Sequence, residues 1–447
     1  MLRRSLACGT LAARRAVPPA GTVVRAAPRR LKSTVAAPAA QAAQMLPAEL
    51  WVAPASRRAV GAWVLGCSGM VFSMVVVGGV TRLTKSGLSM TEWRPQGHRP
   101  PANAAQWEEE FGRYRRSPEF QMHPDMSVDE FKKIFWPEYL HRMLGRTIGV
   151  AFAVPALYFV ARRRIRMRWG TGELPPRLAA LFLAGGCQGL VGWWMVRSGL
   201  EAPAADAVDD VVRVSPYRLA MHLTTGFAIY AGLVWTGLTI VTPVPAAAAL
   251  EPGSAALAAV AKVRRLARPL AVLIGVTACS GAFVAGVHAG HHYNTFPLMD
   301  GRVVPAGYWL SELGYRNFFE NIPAVQFDHR LLATATVAAT LFTWNMARKL
   351  PLPRSASAPI SALLVVVGGQ FVLGITTLIH AVPVSLGAAH QAGALTLFTV
   401  ALATLHGLRM PAAGAATVAR VVRATSARSS AAARPALKPA VAQSEER

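Results

Sequence analysis

The residues GGCQGLVG at 185–192 and GGQFVLG at 368–374 lie in two long apolar segments, and both carry a glycine pair followed by a Gln-x-x-x-Gly motif. Apolar segments recur along the chain, and most approach the roughly 20 residues that a helix needs to cross a bilayer. Their approximate bounds are 59–80, 141–161, 177–197, 217–243, 269–289, 327–347, 359–380 and 385–408. The sequence therefore predicts an all-α polytopic membrane protein with eight transmembrane helices.

The composition agrees with a membrane protein. The chain has 447 residues, of which 53% are hydrophobic and 15% are charged, against about 25% charged residues in a soluble domain. The net charge of +25 lies mostly at the two ends and in short loops, where it sets membrane topology. No nucleic-acid-reading motif accompanies it, so we expect no nucleic acid partner. No disulfide framework is expected either, because the four cysteines are far apart: Cys8, Cys67, Cys187 and Cys279.

Both ends of the chain are basic and rich in alanine. Residues 1–45 hold arginine, lysine, serine and threonine without a carboxylate, which is typical of a mitochondrial transit peptide. A disordered basic tail is the alternative for this segment. Residues 411–447 are rich in Ala and Arg, and we predict a disordered basic tail there.

The loops predict an orientation. Positive charge is concentrated at 162–177, 262–268 and 348–354, whereas 198–216 carries four acidic residues. By the positive-inside rule, the termini and the basic loops face the matrix of the inner mitochondrial membrane. The loops at 81–137 and 290–325 then face the intermembrane space. A few residues around Pro383 join the last two segments, which predicts a tight helical hairpin.

The two halves of the chain repeat one another. EYLHR at 138–142 matches QFDHR at 326–330, His222 matches His390, and the two Gln-x-x-x-Gly motifs occupy the third segment of each half. An even number of helices per repeat makes the repeats parallel. We therefore predict two pseudo-symmetric four-helix bundles, at 55–243 and 269–410, joined by a matrix linker at 244–268.

Four histidines occupy repeat-equivalent positions near the predicted starts of the even-numbered helices: His141, His222, His329 and His390. Facing helices that each present an imidazole can hold a haem iron between them. We therefore predict these four residues as axial ligands of two haem sites. Hydrogen bonding between helices by polar side chains is the alternative. A second group, His288, His291 and His292, could form a metal site or a wet interfacial cluster, and the sequence leaves both open.

Glu138 distinguishes the two halves. It precedes His141 by three residues, on the same helical face, whereas Gln326 stands at the equivalent position before His329. The difference predicts one reactive haem site and one electron-transfer or structural haem site. A carboxylate stabilised by the helix macrodipole at a helix start is the alternative for Glu138. Arginines that follow the early histidines could pair with haem propionates or extend to the membrane interface: Arg142, Arg146 and Arg330.

The chain resembles the mitochondrial type of haem A synthase over roughly residues 55–410. The resemblance rests on GGVTRLTKSGLSM at 78–90, EYLHRMLGR at 138–146, FDHR at 327–330 and AAHQ at 388–391. It implies an oxidoreductase that converts the C8 methyl of haem O to a formyl group, giving haem A for cytochrome c oxidase. The first half would take the substrate haem at His141 and His222, and the second would hold a resident haem b at His329 and His390. The loop from Arg82 to Pro137 lacks the cysteine pair of many bacterial members, so a redox role for such a disulfide does not carry over.

The resemblance also implies partners, while two other functions remain open. Candidate partners are a haem O synthase, an electron donor such as a ferredoxin, oxidase assembly factors and a second copy of the chain. A bis-histidine b-type cytochrome that exchanges electrons with quinone explains the four histidines equally well, but it does not explain the single Glu138. A transporter would predict helices broken at the midplane by Gly or Pro, and these are not evident.

Overall fold

The computed structural model describes residues 51–170, 172–201 and 213–410. The segments predicted as transit peptide and basic tail lie outside the described residues, as do three of the acidic residues in the 198–216 loop. The described chain contains eleven α-helices and no β-strand, which confirms the all-α class. The helices are α1 Arg57–Leu83, α2 Ala104–Tyr114, α3 Pro118–Gln121, α4 Val128–Ala161, α5 Leu174–Leu200, α6 Pro216–Val241, α7 Ala255–Gly286, α8 Asn317–Glu320, α9 Ile322–Ala347, α10 Arg354–Ile379 and α11 Val384–Gly407.

Every predicted apolar segment is helical. Among the described residues, seven of these helices are long and apolar enough to cross a membrane: α1, α4, α5, α6, α7, α10 and α11. The helix at the sixth segment, α9, has 26 residues but does not meet the same measure of apolarity, and it carries Asp328, His329 and Arg330 close to its start. The prediction of a multi-pass helical protein is therefore confirmed, whereas the count of eight crossings stays a prediction.

Two helices begin well before their predicted starts. Helix α4 begins at Val128 rather than near 141, because Ser127 and Glu130 form a capping box in which Ser127 Oγ accepts from Glu130 N at 3.3 Å. Helix α7 begins at Ala255 rather than near 269, where Ser254 Oγ accepts from Leu257 N at 3.2 Å. His141 therefore lies about three and a half turns inside α4. The expectation that all four histidines lie within two turns of a helix start is wrong for this one.

The two halves share one pattern of helix contacts. In the first half, α1 packs against α4 and α6, and α5 packs against the same two helices. In the second half, α7 packs against α9 and α11, and α10 packs against the same two. The halves meet where α11 contacts α1 and α6, and where α6 contacts α7. A hairpin joins α10 to α11 around Pro383, as predicted.

The outward faces of the long helices are apolar. Leu157 of α4 is 70% exposed and Val365 of α10 is 75% exposed, whereas Leu395 of α11 is fully buried at the junction between the halves. Exposed apolar side chains on long helices are expected where lipid, rather than water, is the neighbour. Cys67, Cys187 and Cys279 are free thiols in helices.

The long first loop is itself folded. It contains α2 and α3, and the first turns of α4 complete a small aromatic core in which four side chains are buried and stack on one another: Phe111, Tyr114, Phe131 and Phe135. Burying an aromatic side chain stabilises a fold by roughly 1.5–3 kcal/mol, so this core helps to order the loop. The loop covers one end of the first half and positions Glu119 and Glu138, described below.

Candidate functional site

A large cavity runs between the two halves. Its volume is about 1810 Å³, and all four predicted histidines line it, together with Glu138. Pockets for one small-molecule ligand usually measure roughly 300–1,000 Å³. The cavity therefore has room for more than one ligand of haem size.

Each histidine ring packs against a glycine of a neighbouring long helix. A Cβ added at the glycine would lie 2.8–3.3 Å from Cε1 of the paired imidazole, closer than a methyl group and a ring normally approach. These glycines therefore leave the space in which the imidazoles sit. The pairs are Gly78 with His141, Gly192 with His222, Gly281 with His329, and Gly374 with His390.

The repeated Gln-x-x-x-Gly motif serves the second histidine of each half. Gln188 Nε2 donates to the carbonyl of His222 at 2.7 Å and lies 3.1 Å from Nδ1 of its ring. Gln370 Nε2 donates to the carbonyl of His390 at 2.9 Å and also lies 3.1 Å from Nδ1. The glutamine and the glycine lie one turn apart, so a single helical face holds the ring from two sides. The sequence showed this repeat but not its purpose.

The histidines pair within the halves. His141 lies within electrostatic range of His222, and His329 within range of His390. Two imidazoles per half on the wall of an apolar cavity are a donor set that fits haem iron with two axial ligands. Among the described residues, no group of three or more His, Cys, Asp or Glu could hold a metal ion.

The second histidine cluster contacts an arginine. His288 Nε2 lies 3.0 Å from the guanidinium of Arg82, and burial together with Arg82 lowers the pKa of His288 to about 4. Among the described residues, His288, His291 and His292 belong to no group of three or more side chains that could hold a metal ion. Arg82 also donates to the carbonyl of Ala285 at 3.0 Å. Because Arg82 ends α1 and His288 follows α7, this contact links the two halves beside the cavity.

Glu138 is fixed by three donors. Its carboxylate is 2% exposed; it accepts from Arg142 Nη2 at 2.5 Å, from Ser89 Oγ at 2.6 Å and from the Met90 amide at 2.8 Å. Its position ten residues into α4 rules out a carboxylate at a helix start, and that alternative is wrong because α4 begins at Val128. The contacts bring Glu138 to the cavity wall near His141.

The predicted propionate arginines bond to loop carbonyls. Arg142 donates to the carbonyls of Met90 and Glu92 at 2.8 and 2.7 Å. Arg146 donates to the carbonyls of Arg94 and Pro95 at 2.5 and 3.1 Å. These side chains fix the segment after α1 along one face of α4, and both line the cavity.

Arg330 plays the same part in the second half. It donates to the carbonyls of Tyr293 and Thr295 at 2.6 and 2.9 Å, and it lines the cavity as well. Arg142 has the Glu138 carboxylate beside it. Arg330, in contrast, makes no ion pair with any described residue.

Glu119 of α3 is a site residue that sequence reasoning missed. It lines the cavity, and its buried Oε2 has no hydrogen bond partner among the described residues. Burial and the nearby Glu138 raise the pKa of Glu119 to about 7, although Tyr114, Arg82 and Lys85 oppose the shift. The signal was weak, because a single glutamate in a long polar loop looks like a surface residue.

These features define a polytopic membrane protein with two buried histidine pairs around one cavity. Residues 61–402 match the family model of cytochrome oxidase assembly proteins, and the chain belongs to that family. It is 46% identical to the haem A synthase of Arabidopsis thaliana over 383 residues, covering 86% of this chain and 81% of the plant protein. It is 42% identical to the haem A synthase of Bos taurus over 357 residues, covering 79% and 83%. The haem A synthase of Nitrosospira multiformis is 43% identical over 357 residues, covering 79% and 95%.

Proposed function

We propose that this chain is a haem A synthase, an oxidoreductase that converts the C8 methyl of haem O to a formyl group and so supplies haem A to cytochrome c oxidase. The names of its relatives support the assignment. The observation that carries it is the pair of equivalent histidine sites in one cavity, of which one has a carboxylate, Glu138, and the other an amide, Gln326.

The two sites divide the work. His141 and His222 bind the substrate haem, while His329 and His390 ligate a resident haem b that supplies redox chemistry when it is bound. The four glycines that pack against the imidazoles, together with Gln188 and Gln370, orient the rings. Arg330 would hold a propionate of the resident haem, because a guanidinium can pair with a carboxylate. Arg142 and Arg146 line the substrate side, where Arg142 shares its charge with Glu138.

Glu138 acts on the substrate as a fixed negative charge. Both of its oxygens already accept hydrogen bonds, so it is better placed to stabilise positive charge near the methyl carbon than to receive a proton. A preorganised charge of this kind needs little rearrangement during the reaction. The three donors hold the carboxylate at the wall of the cavity that His141 also lines.

The membrane arrangement follows the loop charges. We propose eight crossings in two four-helix bundles in the inner mitochondrial membrane, after removal of a transit peptide, with both haem sites toward the intermembrane space. Candidate partners are those that the resemblance implied: a haem O synthase, an electron donor such as a ferredoxin, oxidase assembly factors and a second copy of the chain. In mitoplasts, external protease should cut the 81–137 segment and spare 162–177; the reverse pattern contradicts this orientation.

The experiment that tests the function is chromatography of extracted haems. The full chain is expressed with a source of haem O, purified, and its haems are separated by reverse-phase chromatography. We expect haem b together with haem A or a hydroxylated intermediate. A b-type cytochrome, the alternative function, would yield haem b without any product of haem O oxidation, and that result would contradict the proposal.

A further inference from the structure

The four histidines differ in which group contacts Nδ1 of the ring. Nδ1 is the nitrogen that would point away from an iron bound at Nε2. His222 and His390 each have a glutamine amide at 3.1 Å. Ser280 Oγ lies 2.7 Å from Nδ1 of His329. The rings of His141 and His329 each interact with a backbone carbonyl at equivalent positions, Met74 and Thr277, but among the described residues no side chain hydrogen-bonds to Nδ1 of His141.

The Ser280 contacts favour one tautomer of His329. A hydroxyl has one proton to donate, and Ser280 Oγ lies 2.8 Å from the carbonyl of Thr277, which can only accept it. With the hydroxyl proton in that hydrogen bond, the oxygen accepts from Nδ1–H of His329. Nε2 is left with a free lone pair, which is the form that binds a metal.

The first half lacks this device at the matching position. Ser280 directly precedes Gly281, the glycine under His329; Val77 directly precedes Gly78, the glycine under His141. A valine side chain has no polar atom, so it cannot accept a hydrogen bond from His141. The two halves thus differ at Val77 and Ser280 as well as at Glu138 and Gln326.

We propose that Ser280 is a positioning residue that strengthens His329 as a permanent iron ligand, and that Val77 leaves His141 without this second contact on Nδ1, so that the first half can exchange its haem. Outer hydrogen bond partners of ligating histidines typically change metal affinity roughly 10- to 100-fold. A site that must release its product requires the weaker ligand, and a site with a resident group requires the stronger one. This inference rests on the proposed haem sites.

The test exchanges the two side chains in the full-length protein. Ser280→Val removes the hydroxyl, Ser280→Thr keeps it, and Val77→Ser introduces one beside His141. The readouts are the rate of haem loss to excess apomyoglobin and the electron paramagnetic resonance spectrum of the low-spin haem. Size-exclusion elution checks that each variant is folded.

We expect Ser280→Val to lose haem b roughly 10- to 100-fold faster and to change the spectrum, Ser280→Thr to resemble wild type, and Val77→Ser to slow the loss of haem O or haem A. Unchanged rates and spectra in both Ser280→Val and Val77→Ser would overturn the inference while leaving the proposed function intact. A wild-type protein that binds no haem would instead contradict the proposed function itself.

Discussion

The Glu138 carboxylate lies 2.5 Å from the guanidinium of Arg142, one turn further along the same helix. At the equivalent positions of the second half, Gln326 donates to the carbonyls of Ala289 and His292, and Arg330 has no carboxylate beside it among the described residues. In both halves, the side chains at these two positions hydrogen-bond to the segment that follows the first helix of that half. The first half alone adds a negative charge, and we propose that this difference separates a reactive site from a resident one.

Replacing Glu138 with Gln tests that charge. The amide keeps the size of the side chain but cannot pair with Arg142, so we expect a folded protein that keeps its resident haem b. Haem A formation should fall roughly 100-fold or more, the usual cost of losing one preorganised electrostatic contact. Chromatography of extracted haems measures the yield.

The matched control is Glu108→Gln on α2, an exposed carboxylate 3.9 Å from Arg115. It changes the net charge equally and should leave the haem A yield unchanged. A normal yield from Glu138→Gln would show that the charge is not needed.

Replacing Gly374 with Ala tests whether the space left by the glycine beside His390 is needed for haem binding. A Cβ there would lie 2.8 Å from Cε1 of His390, so Gly374→Ala should displace the ring and lower the haem b content several-fold. Gly369 lies on the same helix with open space around it, which makes Gly369→Ala the control. Absorbance of the reduced haem per polypeptide measures both, and equal haem contents would mean that this space is not needed.

Glu119 predicts a pH dependence of stability. Its pKa is raised from 4.5 to about 7, so the folded state binds more protons than the unfolded state between those values. The favourable contribution is therefore complete below about pH 4.5 and is lost as pH rises through about 7. The charged groups that face Glu119 are Glu138, Arg82 and Lys85, with Tyr114 also in contact.

Thermal unfolding in detergent measures this effect. The apparent Tm of wild type relative to Glu119→Gln should fall between about pH 5 and about pH 8, because the amide cannot ionise. The apparent Tm of Glu108→Gln should change with pH in the same way as that of wild type across this range. Parallel curves for Glu119→Gln would mean that Glu119 does not titrate there.

The helices and the histidine positions could be predicted because the length of the apolar segments and the internal repeat are visible in the sequence. The equivalence of the Gln188 and Gln370 motifs is visible in the sequence, whereas their contacts with His222 and His390 are visible only in the structure. The start of α4 was missed because hydropathy marks the part of a helix that lies in lipid, while its first turns are polar. The Ser127-x-x-Glu130 capping box was the available signal.

The other features of the site depend on contacts between residues that are distant in sequence. Gly78 and Gly281 have no local turn to explain them, and their role appears when His141 and His329 pack on them. Ser280 is an ordinary polar residue in a membrane helix until its oxygen lies 2.7 Å from Nδ1 of His329. Glu119 gains its raised pKa from burial against the first half, which composition does not reveal.

The central claim is that the two histidine pairs hold different haems, and haem b content in the four His→Ala variants tests it most directly. Pyridine haemochrome analysis of the purified full-length variants gives haem b per polypeptide. The account predicts that His329→Ala and His390→Ala lose most of the resident haem b, whereas His141→Ala and His222→Ala retain it and fail to make haem A. Full retention of a six-coordinate haem b in both His329→Ala and His390→Ala would contradict it.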